Sequence, residues 1–205
     1  MNSTIKTSLD RSITYEEYRT LTHHLSMTNG TSGKEQSEAH IQFTKLNDRR
    51  MKRWDKTLKI NKADAETFKR YEQKLIWLVL AESWCGDGAH MLPVLNKIAQ
   101  INPNIELRIV LRDDNLELMD NFLTQGNRAI PKVIMIDKET GNVIGTYGPR
   151  PSEVTGYVNR FKAANGVLTA SFKEDLQYWY NDDKGKTIIQ DLIQILSRLQ
   201  PSVSL

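Results

Sequence analysis

The chain has 205 residues, 28 Lys and Arg against 25 Asp and Glu, and one cysteine. A formal charge of +3 is too small by itself to imply a nucleic-acid or anionic-membrane partner. No run approaches the roughly 20 apolar residues that cross a bilayer, and one cysteine cannot form an internal disulfide. Residues 1–7 have no apolar segment behind them, so no signal peptide is expected and the expected location is cytoplasmic.

Residues 1–74 read as a polar helical extension. Ser12 or Thr14 is positioned to cap a first helix, with Glu16 and Glu17 in its first turn, where the helix dipole favours acids. Residues 28–37 are turn formers. A longer helix follows, its apolar stripe expected from Phe43, Leu46, Met51, Trp54 and Leu58. A second break at 61–64 precedes a short helix over 65–73.

Residues 75–81 are continuously apolar, as in a strand buried on both faces. A helix is expected over 88–100, an alternating strand over 105–111, a short helix over 115–123 and a strand over 133–136. Gly141 and Asn142 mark a hairpin-type turn into a strand at 143–147. A helix is expected over 151–164, with Gly166 past its end, and further helices over 168–180 and 187–199. The order over 75–164 is β-α-β-α-β-β-α, which begins with a right-handed parallel βαβ unit and closes on an antiparallel hairpin. The expected organisation is an extension at 1–74, a domain at 75–165 and C-terminal helices at 166–205 packed on it.

Cys85 falls where the first strand ends and its helix begins. Unpaired backbone N–H groups and the helix dipole there favour thiolate over thiol, so a reactive cysteine is expected, against the alternative of an inert core cysteine. The segment Ala81-Glu82-Ser83-Trp84-Cys85-Gly86-Asp87-Gly88 resembles the active-site turn of the thioredoxin family, Trp-Cys-Gly-Pro-Cys. Pro93 stands where that family kinks its active-site helix, and Arg128-Ala129-Ile130-Pro131 resembles its Arg-Gly-Ile-Pro. The resemblance implies a thioredoxin-like mixed four-stranded sheet flanked by helices. It implies catalysis by Cys85 in a turn of Trp84, Gly86, Asp87 and Gly88, and a substrate groove of Ile130, a cis Pro131 and Gly148.

Gly88 occupies the place of the family's second cysteine, so attack by Cys85 would stop at a mixed disulfide unless another thiol, such as glutathione, resolved it. Asp87 replaces a proline; a first-turn acid is the simpler reading, a charge opposing the thiolate the other. Val79 stands where many relatives bury an acid, while Glu82 and Lys132 are expected to be solvated. His90, five residues past Cys85, would point away from it. No metal is expected from His23, His24 and His40. The basic stretch 45–62 reads as a solvated helix face, so nucleic acid is not expected as a partner.

Two functions follow from the resemblance. One is a monothiol thiol–disulfide oxidoreductase with no bound cofactor, acting on protein thiols and disulfides or on glutathione. The other is a redox-inactive protein- or peptide-binding module. A cluster-binding dimer like the monothiol glutaredoxins ranks below both, because those resemble Cys-Gly-Phe-Ser rather than Cys-Gly-Asp-Gly.

Overall fold

The computed structural model describes residues 1–199, so the last six residues of the expected C-terminal segment lie outside the described residues. The central strand is β1, Leu75–Ala81, whose apolar run is buried along its whole length. Successive side chains of a strand point to opposite faces. Leu75, Trp77, Val79 and Ala81 enter one core, and Ile76, Leu78 and Leu80 enter another on the far side. β2 (Ile105–Leu111) lies parallel to β1, and β3 (Lys132–Asp137) lies antiparallel on its other side. β4 (Val143–Tyr147) pairs antiparallel with β3, giving a four-stranded sheet of order β2-β1-β3-β4.

The first helix, α1 (Ser3–Asp10), precedes the expected one and carries Ile5 into the smaller core. Ser12 caps nothing: its hydroxyl donates to Leu9 O and accepts from Arg108 Nε. Thr14 caps α2 (Tyr15–Met27) in a reciprocal capping box with Glu17. Between these helices Ile13 exchanges two backbone hydrogen bonds of 2.8 Å with Ile109, so the N-terminal segment shields the β2 edge. Tyr15 and Tyr18 of α2 lie in the larger core with the inner side chains of β1, so part of residues 1–74 shares one hydrophobic core with the sheet.

Helix α3 (Glu38–Thr57) starts at the Ser37 cap. Its buried face is Thr44, Asn47, Asp48, Met51 and Trp54, whereas Phe43 is exposed and Leu46 half-buried. The apolar stripe read from the sequence is therefore rotated, because polar residues of α3 find buried partners. Thr44 Oγ1 lies 2.8 Å from Ser83 Oγ, Asn47 Nδ2 donates to Ser83 O, and Arg19 pairs with Asp48. Asn61, read as a break, caps α4 (Lys62–Lys69), which begins and ends earlier than expected.

The helix after β1, α5 (Gly86–Ile101), contains Pro93 and is buried along much of its length. α6 (Leu116–Asp120) is shorter than the expected helix: it starts one residue later, after a 3₁₀ turn at Arg112–Asp114, and ends at the Asn121 cap, where the chain turns. α7 (Ser152–Asn165) and α8 (Ala170–Asp183) form their own small core of Val154, Val158, Phe172, Leu176 and Tyr180. α9 (Lys186–Leu199) buries Ile188, Ile189, Leu192 and Leu196 in the larger core. No helix among the described residues is long and apolar enough to cross a membrane.

Candidate functional site

Cys85 is the N-cap residue of α5, and its Sγ accepts the Gly88 N–H at 3.4 Å. That contact alone favours the thiolate. The thiol also donates to the Ile130 carbonyl at 3.4 Å, a bond only the protonated form can make. Ile130–Pro131 and Gly148–Pro149 are both cis peptides, and Ile130 shares the smaller core with Cys85. Gly148 lies against the same segment, because a Cβ built on it would fall 2.3 Å from Pro131 O. The strand ends thus bring together Trp84, Cys85, Gly86, Ile130, Pro131 and Gly148, although they are spread over more than sixty residues of chain.

The expectation of an accessible, acidic thiol does not hold in this fold. Cys85 is 8% exposed, and Ile130 and Pro131 are buried as well. Burial pushes the thiol up to about 12, with the Asp87 charge as the second cause, against smaller opposing contributions from the Gly88 N–H and Arg150. Position at a helix N-terminus is outweighed by loss of water.

Asp87 sits in the first turn of α5, yet its carboxylate turns sideways. Tyr180 Oη of α8 donates to it at 2.9 Å. Arg150 Nε stands 2.8 Å away as an ion pair, its N–H direction missing the oxygen. Burial pushes the Asp87 carboxyl up despite Arg150. Both readings of this acid hold in part: it is a first-turn residue, and its charge opposes the Cys85 thiolate.

Trp84 is framed from two remote elements. His40 of α3 stacks on its ring with centroids 4.4 Å apart, and the Arg112 guanidinium stands 5.0 Å from the ring centre. Glu82, expected to be solvated, is 1% exposed. It is bonded by Ser32 Oγ and accepts the Asp113 N–H at 2.9 Å, and burial pushes its carboxyl up. The glycine- and serine-rich segment around residue 32 folds over the end of β1 and supplies that partner. Lys132 is also buried rather than solvated, its Nζ donating to Thr124 Oγ1 at 3.2 Å. Val79 is fully buried among apolar side chains, so the strand carries no proton-transferring acid there.

Gly88 touches the thiol. A Cβ built on it would lie 3.6 Å from Cys85 Cβ, within the separation that a disulfide spans. Gly88→Cys is therefore expected to oxidise to an internal disulfide, seen as loss of both titratable thiols and of two hydrogens in mass.

His90 points away from the thiol and fastens three helices. Trp54 Nε1 donates to its Nδ1 at 2.9 Å, so the proton is on Nε2, which donates to Gln177 Oε1 at 2.9 Å. Tyr180 stacks on its ring at 4.3 Å. Burial lowers His90 from 6.5 to about 4. The unfolded chain then takes up this proton first as pH falls, so stability should drop between about 6.5 and 4, by at most about 1.4 kcal/mol per pH unit. The raised Glu82 and Asp87 act in the opposite sense. The check is therefore a difference: between about pH 7 and pH 4.5, denaturant midpoints should fall less in His90→Gln than in the parent.

No cluster of three or more His, Cys, Asp or Glu that could hold a metal is found among the described residues. Sequence reasoning misses Arg112, Arg150 and Tyr180, and considers His40 only as a metal ligand. Arg150 alone had a local signal, two residues past Gly148.

A sheet of this order, with a single cysteine at the N-cap of the helix after its central strand and a cis proline facing it, defines a thioredoxin fold with a one-thiol site. A family model described as thioredoxin matches residues 33–164, and the chain belongs to that family. No curated protein matches it. Among solved structures it is similar to a protein of unknown function from Pseudomonas aeruginosa, at 25% identity and TM-score 0.55, covering 76% of this chain and 86% of that one. It is also similar to an HIV epitope-scaffold, at 20% identity and TM-score 0.57, covering 91% of this chain and 99% of that one.

Proposed function

We propose that this chain is a thioredoxin-fold binding module whose Cys85 rests as a protonated, shielded thiol and does not turn over disulfides. The observation that carries this reading is the thiol itself: 8% exposed, donating to Ile130 O and pushed up to about 12. Gly88 in the place of a resolving cysteine supports it, as does Asp87, whose charge opposes the thiolate. In this reading the partner is a protein segment that meets the rim built from Trp84, His40 and Arg112.

A second reading is monothiol exchange, favoured by the Gly88 N–H aimed at Sγ. In it, Cys85 thiolate would attack the glutathione sulfur of a glutathionylated substrate, releasing the substrate thiolate and forming a Cys85–glutathione disulfide. A second glutathione thiolate would then free Cys85 and leave as glutathione disulfide. In net, one free glutathione is consumed: its thiol is the reductant, the substrate–glutathione disulfide is the oxidant, and the products are the substrate thiol and glutathione disulfide.

The two readings separate in one assay. Reduction of a glutathionylated peptide with glutathione present should proceed equally slowly with the parent and with Cys85→Ser. Turnover that is present in the parent and disappears in Cys85→Ser would establish the exchange reading instead.

A further inference from the structure

Away from Cys85, a cleft of about 570 Å³ opens between the end of α3, the start of α4 and the turn joining α8 to α9. That volume lies in the range of small-molecule sites. We propose that this cleft binds a small phosphorylated molecule carrying two or more negative charges.

The charge argument comes first. Arg53, Lys59, Lys184 and Lys186 line the cleft, with Asp64 as its only carboxylate. Their balance of +3 is the whole net charge of the protein, and the other 24 Lys and Arg match the other 24 Asp and Glu. Among the described residues none of the four cations makes an ion pair. Arg53 donates to the neutral amide of Asn181. Asp64 is already engaged by the Asn61 and Gln190 amides, and Asp183 behind the turn is engaged by Thr187. Four like charges held around one concavity repel one another, and an anion placed among them removes that repulsion.

The shape argument is independent. Lys184 holds a left-handed backbone conformation at φ 55°, a position usually taken by Gly or Asn. A lysine thus lines the cleft at a position where a neutral residue would be the ordinary choice. Trp54, Leu58 and Ile189 give the cleft an apolar floor, suited to the organic part of a ligand. The site is concave and local, whereas a polynucleotide would need a basic stripe continuing along the surface. The acids of α3 interrupt such a stripe: Asp48 and Asp55 pair with Arg19.

The test is calorimetric titration of the whole chain with ADP and with inorganic pyrophosphate near physiological salt (about 0.15 M). Saturable one-to-one binding is expected for both, and none for adenosine. Lys59→Gln/Lys186→Gln should weaken it by about tenfold or more, since charge-assisted contacts are the strong ones. Lys162→Gln/Lys173→Gln removes the same charge from exposed sites elsewhere and should leave the affinity unchanged. All four lysines are exposed, and matching thermal unfolding of the two variants would establish that neither has lost its fold. The proposal is overturned by the absence of saturable binding of either phosphate, by equal loss in the two variants, or by tighter binding of a single-stranded oligonucleotide than of ADP. None of these outcomes bears on Cys85.

Discussion

Cys85 in the folded protein should react with iodoacetamide at pH 7 at least about fiftyfold more slowly than the same thiol in the denatured chain. The rise from 9.0 to about 12 removes roughly a thousandfold of the thiolate. The remaining thiolate is the more nucleophilic for its higher pKa, which returns roughly 10- to 30-fold. Burial at 8% exposure then slows access beyond the ionisation effect. Asp87→Asn should recover only part of the rate, because burial is the first cause of the shift and the Asp87 charge the second. Alkylation followed by mass spectrometry across a pH series reads both quantities. Rates equal in the folded and denatured chain would remove the basis for a shielded thiol. Full recovery in Asp87→Asn would show that charge, not desolvation, sets the thiol.

The second large effect concerns Gly148. Its φ is 99°, and a Cβ there would lie 2.3 Å from Pro131 O and 3.4 Å from Pro131 C. These are backbone atoms leading into β3, which pairs with β1 and β4 on its two sides, so they cannot swing aside as a flexible side chain would. Gly148→Ala is therefore expected to cost about 3 kcal/mol or more: the left-handed backbone contributes about 1–2 kcal/mol and the collision the rest. Gly126 gives the comparison, since it has φ 75° with nothing within 4 Å of a built Cβ. Gly126→Ala should lose only the backbone share, about 1 kcal/mol. Urea unfolding of the two variants measures the difference, and equal losses would mean that Gly148 and Pro131 do not press on each other. Because Pro131 flanks the thiol, Gly148→Ala should also speed alkylation of Cys85.

The elements that read correctly from the sequence are those whose signal is local. The run at 75–81 is apolar at every position because both faces of β1 are covered, and nothing distant is needed to recognise it. Thr14 and Glu17 form a capping box within one turn of chain. The elements misread are those that depend on a partner. α1 is short and polar, and Ile5 is its one buried apolar side chain, with Ser8 buried beside it on the same face. The face of α3 that packs is decided by Ser83 and Arg19 accepting or supplying polar contacts, so Thr44 and Asp48 are buried while Phe43 is not. Glu82 is buried because a loop fifty residues earlier supplies Ser32.

The same division holds at the site. Residue types along the chain place Cys85 at a strand end and helix start, and the resemblance carried by Trp84-Cys85-Gly86 and Ile130-Pro131 implies the thioredoxin fold and the lack of a resolving cysteine at Gly88, since all of these signals are local. What bears on the thiol is set by packing. A pKa sums desolvation and charge over everything nearby, and around Cys85 those contributions come from Ile130, Asp87 and Arg150, with Tyr180 holding Asp87 in place. Local sequence specifies the helix N-terminus that would acidify Cys85; the burial that outweighs it comes from segments distant in the chain.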